Sequence, residues 1–122
     1  MKKKILIVED ESDLRTLLVQ FFEYKKFEVY QTENGKKALE MIDQNGYPDM
    51  VLTDLIMDEM EGIELIKTLK KRQQALKIIA MSGGGKIGAD NYLEIVKVLG
   101  VDGILKKPFN LDDLYKMVQE HL

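Results

Sequence analysis

The 122-residue sequence predicts a doubly wound α/β fold in which five parallel strands alternate with five helices. Three observations predict it. Short runs rich in β-branched residues alternate with longer stretches of helical period. Most of the short runs are apolar throughout, as strands covered on both faces must be. Cap and turn residues fall between the two kinds of segment.

Ile5-Leu6-Ile7-Val8 forms the first strand, bounded by Lys2, Lys3 and Lys4 before it and by Glu9 and Asp10 after it. Leu14, Leu17, Leu18, Phe21 and Phe22 then recur at helical spacing. Phe27-Glu28-Val29-Tyr30 alternates, which suits a second strand with a more exposed face. Ala38, Leu39 and Ile42 mark the second helix, and Met50-Val51-Leu52-Thr53 the third strand. Ile63, Leu65, Ile66 and Leu69 mark the third helix, and Ile78-Ile79-Ala80-Met81 the fourth strand. Tyr92, Leu93, Ile95, Val96 and Leu99 mark a fourth helix that Gly100 is placed to end. Gly103-Ile104-Leu105, before Lys106, is the fifth strand. Leu111, Leu114, Tyr115 and Val118 mark the last helix, with Asn110 as N-cap and Asp112 and Asp113 in the first turn, where the helix dipole favours acids.

Such alternation implies right-handed crossovers and one parallel sheet. Five strands fit the flavodoxin-like order 2-1-3-4-5 in length and rhythm, although periodicity does not itself set strand order. Gly83-Gly84-Gly85 reads as a loop, because strand and helix patterns continue on both sides. Residues 1–122 are therefore read as one domain.

Composition narrows the chemistry. Apolar residues make up 45% and charged residues 32% of the chain, a globular balance. The absence of cysteine excludes disulfides, thiolate catalysis and Cys-ligated metals. The one histidine, His121, reads as a helix-end residue, and no His-based triad or multi-histidine metal site can be built from it. A net charge of −3 and a pI of about 5.2 disfavour direct nucleic-acid binding. The apolar run after the N-terminal lysines is too short for a signal peptide or a membrane span, so a cytoplasmic location is expected. With the last helix running to the final residue, the chain is expected to act by protein contact, as a stand-alone unit or as a fragment of a longer one.

In open α/β sheets, chemistry sits beyond the carboxyl ends of the strands. Glu9 and Asp10 follow strand one, Asp54 strand three, Ser82 strand four, and Lys106, Lys107 and Pro108 strand five. Each has a plainer reading on its own. Acids suit the start of a helix, Asp54 could be a solvated loop acid, a serine beside glycines suits a turn, and Lys-Pro marks a loop. If strands one, three, four and five are neighbours, these groups converge as three acids, a hydroxyl and at least one amine. Clustered carboxylates need a cation, and an oxygen-only donor set favours a hard ion such as Mg²⁺. That combination suits phosphoryl transfer to an aspartate.

The chain resembles the response-regulator receiver domain of two-component signalling, of the single-domain type. The resemblance spans essentially all of it: Ile5-Leu6-Ile7-Val8-Glu9-Asp10, Leu52-Thr53-Asp54-Leu55-Ile56-Met57, Gly62, Ala80-Met81-Ser82-Gly83 and Lys107-Pro108-Phe109 match in order and spacing. It implies that Asp54 is the phosphoacceptor, and that Asp10, Asp54 and the backbone carbonyl of Ile56 ligate Mg²⁺. Glu9 would hold the ion mainly through water, and Ser82 would bond a phosphoryl oxygen. Lys107 is the matching lysine, since it directly precedes Pro108 across a bond that is often cis in the family. Lys106 then points elsewhere. Implied partners are a sensor histidine kinase or histidine phosphotransfer protein and a downstream protein target, with no membrane or nucleic acid. The chain would be a monomer or a phosphorylation-dependent dimer.

Three departures stand out. Asp58 replaces a usual proline, Ile104 replaces the usual aromatic switch residue that works with Ser82, and the segment from Ser82 to Lys107 is longer and carries Gly83, Gly84, Gly85 and Gly88. Ile56 and Gly84 offer no hydrogen bond to an attacking water, which predicts slow self-dephosphorylation. The expectation is a phosphoacceptor switch with only self-phosphorylation and self-dephosphorylation chemistry, not an enzyme. Two rivals are weaker. A phosphorylation-independent docking module would be expected to have lost the acids or Lys107. A haloacid-dehalogenase-type phosphatase would need an aspartate where Ile56 stands. Gly83-Gly84-Gly85-Lys86 lacks the spacing and ending of a P-loop.

Overall fold

The computed structural model describes residues 2–55, 57, 62–83 and 92–122, with only the backbone of Tyr92, Leu93 and Ile95. The order is β1 (Lys4–Val8), α1 (Ser12–Tyr24), β2 (Glu28–Thr32), α2 (Gly35–Asn45), β3 (Met50–Asp54), α3 (Gly62–Arg72), β4 (Lys77–Ser82), α4 (Tyr92–Leu99), β5 (Gly103–Lys106) and α5 (Leu111–His121). All strand pairs are parallel, in the order β2-β1-β3-β4-β5, as in a flavodoxin-like sheet.

The continuous apolar runs become two cores, because successive strand residues face opposite sides. On one face Leu6, Val8, Val51, Ile78 and Ala80 pack with Ala38 and Ile42 of α2, Leu65, Ile66 and Leu69 of α3 and Leu99 of α4. On the other, Ile5, Ile7, Met50, Leu52, Ile79 and Met81 pack with Leu18 and Phe22 of α1 and Leu114 and Val118 of α5. The caps follow local chemistry. The Asn110 side chain accepts from the Asp113 N–H at 2.7 Å, and Asn34 does the same for Lys37 at 2.8 Å at the start of α2. Gly100 closes α4 in the left-handed region (φ 74°), its N–H donating to Val96. Among the described residues no helix is long and apolar enough to cross a membrane.

Strand limits differ from the expectation: β1 and β4 start one residue earlier, at Lys4 and Lys77, and β3, β4 and β5 take in Asp54, Ser82 and Lys106 as their last residues, while β2 shifts at both ends. Phe27 lies before β2, and the strand instead extends through Gln31 and Thr32. Lys26 turns the chain in the left-handed region (φ 70°), and the Phe27 N–H donates to the Phe22 carbonyl. The Phe27 ring then stands edge-on to Phe22, with centroids 5.2 Å apart. The polar end of β2 is fixed by pairing with β1, which hydrophobic alternation does not register.

The ladder keeps the strand ends level. Val8 stands opposite both Thr32 and Thr53, Asp54 opposite Met81, and Ser82 opposite Lys106. Everything that follows β1, β3, β4 and β5 therefore emerges at one edge.

Candidate functional site

Glu9, Asp54 and Ser82 are buried at that edge, with 0%, 5% and 3% exposure, while Asp10 beside them is exposed. One carboxylate oxygen from each of Glu9, Asp10 and Asp54 lies within 4.8 Å of the others. The Lys107 side chain, 23% exposed, reaches into the cluster from the β5–α5 turn. Its Nζ lies 2.8 Å from Glu9 Oε1 and 2.7 Å from Asp54 Oδ1. The Lys107–Pro108 peptide bond is cis. Lys106 is exposed.

The backbone of Asp54 is held tightly. The Thr53 hydroxyl donates to its carbonyl at 3.0 Å, and the Leu55 N–H donates to Met81 at 2.9 Å. Gly62, the first residue of α3, sits directly on it. A Cβ there would lie 1.5 Å from the Asp54 carbonyl oxygen, so no other residue fits without moving the helix or the loop. The neighbouring Ile63 N–H donates to Leu55 at 3.0 Å.

Beside Asp54 opens a cleft of about 200 Å³, lined by Asp10, Asp54, Leu55, Met81, Ser82, Gly83 and Lys107. Among the described residues the Ser82 hydroxyl makes only a long 3.4 Å contact, to the Gly83 carbonyl, which leaves its donor largely uncommitted there. Both Glu9 oxygens are engaged, Oε1 by Lys107 and Oε2 by the Glu11 N–H at 3.0 Å.

Burial pushes the Glu9 carboxyl above the usual carboxylate range, and neighbouring Asp54 adds to this against the lowering pull of Lys107 and the Glu11 N–H. Asp10 is raised as well, by burial and then by Glu9. Burial alone would lower Lys107, but its bonds to Asp54 and Glu9 more than reverse that and hold the amine charged. Three carboxylates thus share one ammonium. This oxygen-only donor set, with surplus negative charge, fits a hard divalent cation such as Mg²⁺ and offers nothing to a soft one.

The structure therefore brings Glu9, Asp10, Asp54, Ser82 and Lys107 together. Ile104 does not line the cleft. It is half-buried against the core beneath α2, α3 and α4. Ile56, Asp58, Gly84, Gly85, Lys86 and Gly88 lie outside the described residues. Arg15 escaped notice in the sequence, although its Nη1 donates to the Glu9 carbonyl at 2.7 Å. A signal was there: a cation near the start of a helix opposes the dipole and so calls for a specific contact.

Comparison with known proteins agrees with this geometry. Residues 5–119 match the family model described as the response regulator receiver domain. Sporulation initiation phosphotransferase F of Bacillus subtilis (strain 168) is 32% identical over 122 residues, all of this chain and 95% of that protein. Regulatory protein AtoC of Escherichia coli (strain K12) is 33% identical over 119 residues, 98% of this chain but only 25% of that much longer protein. Among solved structures, the response regulator TrrA of Thermotoga maritima superposes with a TM-score of 0.83 at 28% identity, over 98% of this chain and 99% of that one. Fold, edge cluster and family model converge: the chain belongs to the response regulator receiver domain family of two-component signalling.

Proposed function

We propose that the chain is a phosphorylation switch in which Asp54 accepts a phosphoryl group from the phosphohistidine of a sensor kinase or phosphotransfer protein. The observation that carries this is the buried Asp54 carboxylate, paired with Lys107 at 2.7 Å and opening onto a cleft that Ser82 also lines. A free Asp54 oxygen would attack phosphorus as the P–N bond to the donor imidazole breaks. The Asp–O–P bond forms and the imidazole leaves with its electron pair.

Lys107 is within reach of both the nucleophile and the space beside it, so its ammonium can follow charge onto the phosphoryl oxygens. The uncommitted Ser82 hydroxyl can donate to one of them. Glu9, Asp10 and Asp54 would hold Mg²⁺, with the Ile56 carbonyl as a further donor and Glu9 acting through water. That second role suits Glu9, because N–H donors already take both of its oxygens. When bound, the ion supplies positive charge against phosphate oxygens. TrrA, the structural relative, was solved in complex with Mg²⁺–BeF, which supports the same chemistry here.

The new dianion draws Ser82 and Lys107 toward itself and biases the face of α4, β5 and α5 toward one of two packings. Ile104 would respond by a rotamer change rather than by burying a ring. The chain turns over no external substrate, and its phosphoryl group is lost slowly. Ile56→Asn is expected to speed that loss.

Intact mass after incubation with acetyl phosphate and Mg²⁺ tests this reading, with Asp54→Ala and a chelated sample as controls. A Mg²⁺-dependent phosphoryl adduct absent from Asp54→Ala is the expected result. A folded protein that binds Mg²⁺ but gains no adduct would instead be a docking module.

A further inference from the structure

Arg15 lies in the first turns of α1, and side chains on a helix lean toward its N-terminus. It therefore reaches back over the turn that carries Glu9 and Asp10. Its Nη1 donates to the Glu9 carbonyl at 2.7 Å, and its Nε to Gln31 Oε1 at 3.3 Å. The Glu9 N–H donates to the Thr32 carbonyl at 3.1 Å. Residue 9 is thus tied to the end of β2 on both sides, directly by its N–H and through Arg15 by its carbonyl.

That carbonyl belongs to the planar peptide joining Glu9 to Asp10. Fixing it fixes the plane from which Asp10 departs. Asp10 is exposed, so packing does little to direct its carboxylate, and the plane of the preceding peptide limits where it can point. We infer that Arg15, anchored by Gln31, is a positioning residue for the divalent cation: it holds the Glu9–Asp10 peptide so that the Asp10 carboxylate faces that of Asp54. The inference rests on the reading of the acid cluster as a Mg²⁺ site.

Charge and position make opposite predictions. A guanidinium near the cluster repels a divalent cation, so on electrostatic grounds its removal tightens Mg²⁺ binding. Removing a group that orients a ligand weakens it, typically by tenfold or more. The sign of the change decides between the two.

The experiment is a calorimetric Mg²⁺ titration of the full chain as wild type, Arg15→Gln, Arg15→Lys and Gln31→Ala, with metal-free melting temperatures alongside. Arg15→Gln is expected to bind roughly tenfold more weakly. Gln31→Ala, which alters no charge, should weaken binding less but in the same direction. Arg15→Lys can still reach the carbonyl and should recover part of the affinity. Acetyl phosphate labelling of Arg15→Gln should recover at saturating Mg²⁺, which a general loss of structure would not allow. Unchanged or tighter binding in Arg15→Gln and Gln31→Ala overturns the inference, and Gln31→Ala decides alone if Arg15→Gln does not fold. A wild-type chain that binds no Mg²⁺ overturns the metal-site reading together with it.

Discussion

Lys107 is the residue on which the site's electrostatics turn. It faces two buried carboxylates, at 2.8 and 2.7 Å, and is itself mostly covered. Removing one partner of such a group leaves charge stranded in a poorly solvated place. Lys107→Met is expected to cost about 3 kcal/mol in metal-free protein near neutral pH, as denaturant titration would measure. An unchanged midpoint would mean that water, not the amine, solvates Glu9 and Asp54. The acids make a second prediction. Glu9 and Asp10 are raised in the folded, metal-free chain, so the folded state binds more protons than the unfolded one. Stability from these groups is then present below the ordinary carboxylate pKa, about 4, and is lost as pH climbs through the raised values. A Mg²⁺ ion held by these carboxylates would need their ionised forms, so its effect would run the other way. Melting curves should show a larger Mg²⁺-induced shift at about pH 8 than at about pH 5; the reverse order would count against carboxylate ligation. At this scale the sequence disclosed which acids and which lysine come together, because each ends or follows a strand. It did not disclose that Glu9 is fully buried with both oxygens engaged, or that Arg15 grips its carbonyl. Those are relations between side chains from different elements.

At the scale of elements, the start of α3 makes the closest backbone approach of any described glycine. Gly62 meets the Asp54 backbone, which cannot step aside, whereas a Cβ on Gly103 would meet the Met117 Sδ at 2.8 Å, the end of a flexible side chain. Gly62→Ala is therefore expected to cost at least about 2 kcal/mol, and Gly103→Ala less than about 1 kcal/mol. Comparing their unfolding midpoints with that of the wild type checks this, and equal costs would show that α3 can slide off Asp54. Gly62 was legible only as a family match. Its physical reason, a helix start seated on the backbone of Asp54 at the end of β3, needs the tertiary structure. Helix caps were more readable, since Asn110 and Gly100 act on their own neighbours. The limits of β2 were less so: its last residues are polar and belong to the sheet only because β1 pairs with them.

For the whole molecule, alternating strand and helix patterns were enough to predict a doubly wound sheet, and the pairing supplies the order β2-β1-β3-β4-β5. That order makes the site, because it places the ends of β1, β3, β4 and β5 side by side. No single segment contains it. Lys107 and Glu9 are 98 residues apart in sequence, and their ion pair joins the turn after the first strand to the turn after the last. The consequence is kinetic. A contact closing so long a stretch carries a large loop entropy and can form only once β5 has docked. It is then among the last to appear as the chain folds, and among the first to be lost. Lys107→Met should accordingly leave the refolding rate nearly unchanged and take up its cost in faster unfolding. Stopped-flow measurements on both limbs would show this. A slowed refolding limb would mean that the two ends of the chain meet early, and that the charge cluster helps to assemble the sheet it later uses.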